Sequence, residues 1–261
     1  MRVCCPNCNT AFEHQLLEEV LEPTVSITRV TQDRSSWQDI IELVRAGCSY
    51  RLFNVGDVIS FKLKDDTTFE MEVAGIDIYA PNTVVLVAKN CLSEDLPMNE
   101  RAVYSEHGGW SKCKMRSYLN DKFYKLLPDD FASVIIPRTI VQQIGNERYT
   151  SEDKIWLPSQ TEMFADTPND MDVGDKHFPL YSTYKSRTKI RVNGNGTLWY
   201  WLRTPNSTYG NSVRTVNPTG SLATTMPTTV AASLRLASSV NNLKRIHTRQ
   251  GWIIYMGAVF T

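Results

Sequence analysis

Soft and imidazole ligands crowd the start of the chain. Cys5-Pro-Asn-Cys8 is half of a zinc knuckle, and His14 follows it. A structural zinc takes four thiolate or imidazole ligands in a tetrahedral array. Cys4 or Cys5, Cys8 and His14 supply three. No second Cys-x-x-Cys exists, so a fourth has to come from Cys48, Cys91, Cys113 or a neighbouring subunit. Cys5, Cys8 and His14 are therefore the candidate metal ligands, with Zn2+ the one cofactor that the sequence offers.

Other residue types suggest chemistry and then fail on spacing. Asp166, Asp170, Asp172 and Asp175 form an oxygen-rich stretch, and converging carboxylates bind calcium. The stretch lacks the glycine and glutamate spacing of an EF-hand, and Lys176 competes, so a solvated loop is expected. His107 lies near Cys113 in sequence, but a thiol nucleophile needs a lowered pKa and an open pocket. Cys113 falls on a predicted helix and is expected to pack. Ser159-Gln-Thr-Glu162 reads as a capping box, not a nucleophile elbow. Asn193-Gly-Asn-Gly196 lacks the lysine of a phosphate loop. No catalytic residue is assigned, and a non-enzymatic protein is expected.

Binding chemistry is better represented. Trp199-Tyr-Trp-Leu-Arg-Thr-Pro205 reads as a packed strand, followed by the polar loop Asn206-Ser-Thr-Tyr-Gly-Asn-Ser212. Alternation puts Trp199, Trp201 and Arg203 on one face. Arg203 is expected to stack on Trp201 or to pair with a buried acid, fixing the loop base. Tyr offers rigid amphipathic area and Ser and Asn offer adaptable hydrogen bonds. Asn206, Thr208, Tyr209, Asn211 and Arg214 are the candidate ligand contacts. Trp110, Trp156, Trp199, Trp201, Arg203 and Arg235 are assigned to structure.

The frame for these segments is predicted to be α+β. Trp37, Ile40, Ile41 and Val44 make one apolar helical face, giving a helix at 36–46. Residues 57–63 and 68–73 alternate as a hairpin around Asp65-Asp66-Thr67, and 83–88 makes a third strand. Met115, Leu119 and Phe123 recur every four residues, so 111–125 is a helix capped by Ser111 and lying on the sheet. Asp153–Ser159 is a short strand. Ser212–Val216 and Ser221–Thr225 pair around Asn217-Pro-Thr-Gly220, and Ala231–Ala237 is the last core strand. The small antiparallel or mixed sheet thus carries two helices and long loops. Three regions result: a cysteine-containing head at 1–23, the main domain at 30–240 and a C-terminal extension at 241–261.

Composition narrows the classes. The chain has 261 residues, 42% of them hydrophobic, enough for a conventional core. Basic and acidic residues balance at 28 each, which argues against nucleic acid as a partner. No apolar run approaches the length of a membrane span, so no membrane insertion is expected. The first residues lack the apolar core of a signal peptide, pointing to synthesis in a cytoplasm. Six irregularly spaced cysteines in a chain of this size favour reduced thiols.

Taken in order, the anchors form a recognisable series. They are Ser36-Trp37 to Ile41, Val55-Gly-Asp57, Gly109-Trp-Ser111 with Met115–Asn120, Trp156-Leu-Pro-Ser159 with Glu162, Trp201-Leu-Arg-Thr-Pro205, and Leu234-Arg235. This series resembles DUF6273, a family of bacterial and phage-encoded domains, over about residues 30–240. Members commonly close with Gly-Val-Arg-Pro-Ala, where this chain has Ser233-Leu-Arg-Leu-Ala237. Members also look distantly like C-type-lectin-like display modules, which include phage tropism determinants and retroelement variable proteins. The resemblance implies a structural and ligand-display protein of a phage or prophage particle, in a tail, fibre or capsid decoration, and that the cytoplasm in which it is made is bacterial. Its partners would be sister or other virion subunits and a host surface protein or glycan, reached after lysis. A bacterial cell-envelope binding protein and an enzyme on a formylglycine-generating-like scaffold are the alternatives. The resemblance supplies no catalytic residue.

Overall fold

Alternating burial builds the first sheet. The structure, a computed structural model, describes residues 3–4, 11–12, 44, 49–92, 96–165, 171–190, 196–206 and 211–225. A short ladder joins β1 (Val3–Cys4) to β2 (Ala11–Phe12). Beyond it β3 (Val58–Lys62), β4 (Thr68–Ile76) and β5 (Val84–Ala88) pair antiparallel, with β4 in the middle. Ile59, Phe61, Phe69, Met71 and Val73 are buried, while Lys62, Glu70 and Glu72 are more open. β5 is buried along its whole length, which is why Val-Val-Leu-Val-Ala shows no alternation.

The predicted helix over 111–125 is present as a run of short turns of changing pitch. Gly109–Lys112 is 3-10, Lys114–Ser117 is α, Tyr118–Phe123 is π and Tyr124–Leu126 is again 3-10. Met115, Leu119 and Phe123 are all buried. Cys113 breaks the run with extended backbone, φ −77° and ψ 152°. Cys113, not Ser111, caps the α turn: its Sγ accepts the Arg116 N–H at 3.4 Å. Ser111 Oγ instead donates back to Gly108 O at 2.8 Å. Aromatic contacts hold this layer on the sheet, with the Phe123 ring 5.6 Å from Phe69, and the following helix, Asp129–Val134, adds Phe131 at 5.0 Å from Phe61.

A further hairpin and another sheet complete the frame. β6 (Arg138–Ile144) and β7 (Glu147–Asp153) pair along seven positions. β8 (Tyr200–Pro205), β9 (Val213–Val216) and β10 (Leu222–Thr225) form a second three-stranded antiparallel sheet, with β9 central. The β9–β10 turn falls at Asn217-Pro-Thr-Gly220, where Gly220 N–H donates to Asn217 O at 2.9 Å. The molecule is a mixed helix-and-strand domain of small antiparallel sheets. Among the described residues there are several short helices, more than the two that the periodicity predicts. The predicted helix at 36–46 lies outside the described residues except for Val44, which is buried. The predicted strand at 231–237, the extension at 241–261 and most of the 1–23 head also lie outside them. Among the described residues no helix is long and apolar enough to cross a membrane.

Candidate functional site

The capping box is the seed of the polar centre. Ser159 Oγ accepts the Glu162 N–H at 3.1 Å, and Glu162 Oε2 accepts the Ser159 N–H at 2.8 Å. That reciprocal pair starts the Gln160–Phe164 helix and fixes the Glu162 carboxylate in the interior. Opposite it, β8 breaks register with β9. Trp201 faces Thr215 and Pro205 faces Val213, so the stretch between carries two extra residues. Arg203 sits in that irregular stretch. Its N–H donates to Pro158 O at 2.8 Å instead of to β9, and its side chain is wholly buried.

Buried guanidinium requires partners for its donors. Arg203 Nε donates to Asp172 Oδ1 at 3.0 Å. Its Nη1 donates to Leu157 O at 2.6 Å and to Glu162 Oε2 at 2.7 Å, and its Nη2 donates to Asp175. A second guanidinium, Arg138 of β6, donates to Glu162 Oε1 at 2.6 Å and also to Asp175. It lies 3.6 Å over the Tyr79 ring, whose hydroxyl donates to Glu162. Thr204 Oγ1 donates to Asp172 and accepts the Gln160 N–H at 2.8 Å.

The electrostatics follow from burial set against these pairs. Burial would raise the Glu162 carboxyl, but Arg203 and Arg138 outweigh it and hold the group below its ordinary value. For Asp175 burial wins. Although both arginines pull downward, its pKa is raised to about 6, with the Glu162 charge adding to the rise. Burial, reinforced by Glu162, lifts the Tyr79 phenol well above its ordinary value, so it stays a donor at neutral pH. Burial opposes the charge on Arg203, but its three carboxylates raise it further still.

A second carboxylate node extends the network. Asp153 Oδ2 accepts Trp110 Nε1–H at 2.9 Å and the Ser151 hydroxyl at 2.6 Å. Its Oδ1 accepts Arg116 Nε–H at 2.6 Å and Asn120 Nδ2–H at 3.2 Å. Gln142 joins the two nodes. Its Oε1 accepts the Trp110 backbone N–H at 2.8 Å, and its Nε2 donates to Asp172 Oδ1 at 2.9 Å and Arg203 O at 3.1 Å. This bridge depends on Gly109, which has φ +56°. A Cβ there would sit 2.8 Å from Ile144 Cδ1 and closer still to Gln142 Oε1. Gly109→Ala is therefore expected to lower stability by about 1–3 kcal/mol through overpacking. Urea unfolding checks this, and an unchanged midpoint would show that Gln142 can yield freely.

The loop base grows from the same strand. Tyr104 Oη–H donates to Arg203 O at 2.5 Å. Asn206 N–H donates to Ser212 O at 2.9 Å, closing the two ends of the predicted loop. Asn206 Nδ2 and Arg214 Nη1 both donate to Thr224 Oγ1, at 3.2 and 3.0 Å. The structure thus brings Asn206 and Arg214 together as part of the base. Asn211 is half-buried, and Thr208 and Tyr209 lie outside the described residues. Trp110, Trp156, Trp201 and Arg203 are buried, Trp199 is half-buried, and Arg235 lies outside the described residues.

Several expectations require correction. The zinc reading is one of them. Among the described residues no group of three or more His, Cys, Asp or Glu side chains is placed to hold a metal ion. Cys5, Cys8 and His14, named for that role, lie outside the described residues. The aspartates are another. Asp172 and Asp175 are not on a solvated loop, because two arginines draw them into the core. Asp166 and Asp170 lie outside the described residues. His107 is exposed whereas Cys113 is buried, and burial first of all pushes the Cys113 thiol up to about 12, opposite to a nucleophile. Sequence reasoning missed Tyr79, Arg138, Gln142 and Asp153 as a polar centre. Only the capping box and the lone Arg203 among apolar neighbours signalled it.

A family profile described as "Domain of unknown function (DUF6273)" matches residues 81–241, more than half of the chain. No curated protein and no solved structure matches. The matched span contains Trp110, Asp153, Glu162, Asp172, Asp175 and Arg203, whereas Tyr79 and the β3–β4 hairpin precede it.

Proposed function

The chain belongs to the DUF6273 family, and from that premise we propose that it is a non-enzymatic structural and ligand-display protein of a phage or prophage particle. The observation that carries the reading is the closure of the Arg203 cluster. Four guanidinium bonds end on Leu157 O, Glu162, Asp172 and Asp175, so this charge holds the frame together. One residue beyond β8, Asn206 and Ser212 close a polar loop on that frame. A rigid base under an Asn-, Ser- and Tyr-rich segment suits contact with a varied partner. The particle setting rests on the resemblance of the anchor series to phage-encoded domains, and kinship with lectin-like display modules is part of the same proposal. The partners would be sister or virion subunits and a host surface protein or glycan, met in the virion or after lysis. The Cys113 thiol, buried and held protonated, weighs against an enzyme built on that residue.

A binding array tests this reading. The full chain and Tyr209→Ala are applied to bacterial surface polysaccharides and envelope proteins, and both are melted. Tyr209→Ala should leave stability within about 0.5 kcal/mol of the parent. Its affinity for whatever the parent captures should fall by about 2 kcal/mol or more, the scale of an aromatic anchor. A parent chain retained by nothing on the array ends the reading. So does a Tyr209→Ala chain that melts far lower, since Tyr209 would then be core.

A further inference from the structure

Two guanidiniums, Arg138 and Arg203, face three carboxylates, Glu162, Asp172 and Asp175. The cluster therefore carries one negative charge more than it can pair. Two of the three carboxylates stand on one short segment, Met171–Phe178, which lies across the arginines as a strap. Gln143 N–H donates to Met171 O and Val173 N–H to Val141 O, each at 2.8 Å, along the free edge of β6. At the other end Phe178 N–H donates to Glu162 O at 2.9 Å. Gly174 turns between these ties with φ +82°, and Asp175 reaches both guanidiniums. We propose that the strap is a proton-linked latch: it closes over the arginines with uptake of one proton by the cluster, and opens more readily once that proton is lost.

Within the cluster, Asp175 is the carboxyl whose affinity for a proton burial raises. Its charged and titratable neighbours are Arg138 from β6, Arg203 from β8, Glu162 from the Gln160–Phe164 helix, Asp172 from the strap and Tyr79 from the β4–β5 connection. Burial raises Asp175 to about 6 despite the arginines. Glu162 is held below its ordinary value and Tyr79 well above, so neither changes charge near neutrality. In an open strap Asp175 returns towards an ordinary value of about 3.9. The closed form then binds the proton more tightly than the open form does. Closure is favoured below about pH 6 and weakens as pH rises through it. His177, also in the strap, has the opposite sign, because burial lowers its pKa and its protonation favours opening. Lys176 is exposed. The latch does not depend on what the protein binds.

Amide hydrogen exchange on the full chain, corrected for the intrinsic rate, reads opening at Val173 and Phe178. Between about pH 5 and pH 7.5 opening should rise on the order of tenfold, as closed and open pKa values of about 6 and 3.9 require. Asp175→Asn should flatten the profile, and His177→Gln should keep the rise. A flat or falling parent profile overturns the latch, as does an equal rise in Asp175→Asn. Should Asp175→Asn not fold, the carbon-13 titration of the parent Asp175 carboxyl decides. A midpoint near about 6 supports the latch, and one below about 4.5 overturns it.

Discussion

Arg203→Leu is expected to lower stability by about 3–5 kcal/mol, because it leaves carboxylates buried without their cation. Glu162, Asp172 and Asp175 all pair with Arg203, and Arg138 reaches only two of them. Leucine fills part of the volume, so the loss reports charge more than cavity. In a domain of this size about 1 kcal/mol moves Tm by roughly 2–4 °C, which gives a fall of roughly 6–20 °C. The loss has a pH signature as well. With one guanidinium gone the native carboxylates bind protons more tightly, so the native variant holds protons that its unfolded chain releases. Its deficit against the parent should shrink as pH falls from about 7.5 to about 5. Calorimetry at both values checks this. A loss under about 1 kcal/mol, or a deficit that grows on acidification, would remove the cluster from its place as the organising centre.

Trp201→Ala should cost about 3–5 kcal/mol, the scale for deleting a core aromatic. Trp201 is 1% exposed and lies opposite Thr215 in the last regular pair before β8 leaves register. Its removal opens a cavity beside the bulge that aims Arg203 inward. The damage should therefore extend to the loop base, with faster amide exchange at Asn206, whose N–H holds Ser212 O. Urea unfolding gives the energy and exchange gives its reach. Unfolding within about 1 kcal/mol of the parent would mean that β8 is held by its charges alone.

The parts of this fold that the sequence reveals are those with one wet and one dry face. Val58–Lys62 against Thr68–Val73 alternates openly, and the Asp65-Asp66 turn marks the join. The turn at Asn217–Gly220 is legible for the same reason. The β6–β7 hairpin is harder to see because its inward positions include Arg138, Gln142, Ser151 and Asp153, polar residues that a hydrophobic pattern assigns to the surface. The turn Gly145-Asn146 between two β-rich runs was its one local signal. Helical spacing placed Met115, Leu119 and Phe123 correctly on one face but could not show the break at Cys113, where backbone and thiol geometry decide. The partners of Arg203 are remote in sequence, and nothing local identifies which acids it gathers. Asp172 and Asp175 look like loop residues until two arginines are seen beside them.

Synthesis of the chain meets the charge pattern in a fixed order. Arg138, Glu162, Asp172 and Asp175 are all made before Arg203, and Tyr104, which binds the Arg203 carbonyl, is made 99 residues earlier. Until β8 leaves the ribosome the three carboxylates have a single guanidinium to share, and burying them together is unfavourable. The middle of the domain thus has an electrostatic reason to wait. When β8 docks, it brings the missing cation, the Tyr104 acceptor and the Gln142 acceptor in one step. Contacts this distant along the chain form late in any case, because long loops must close first. A nascent chain halted near residue 200 would lack more than one strand. It would lack the condition under which the preceding 60 or so residues can close.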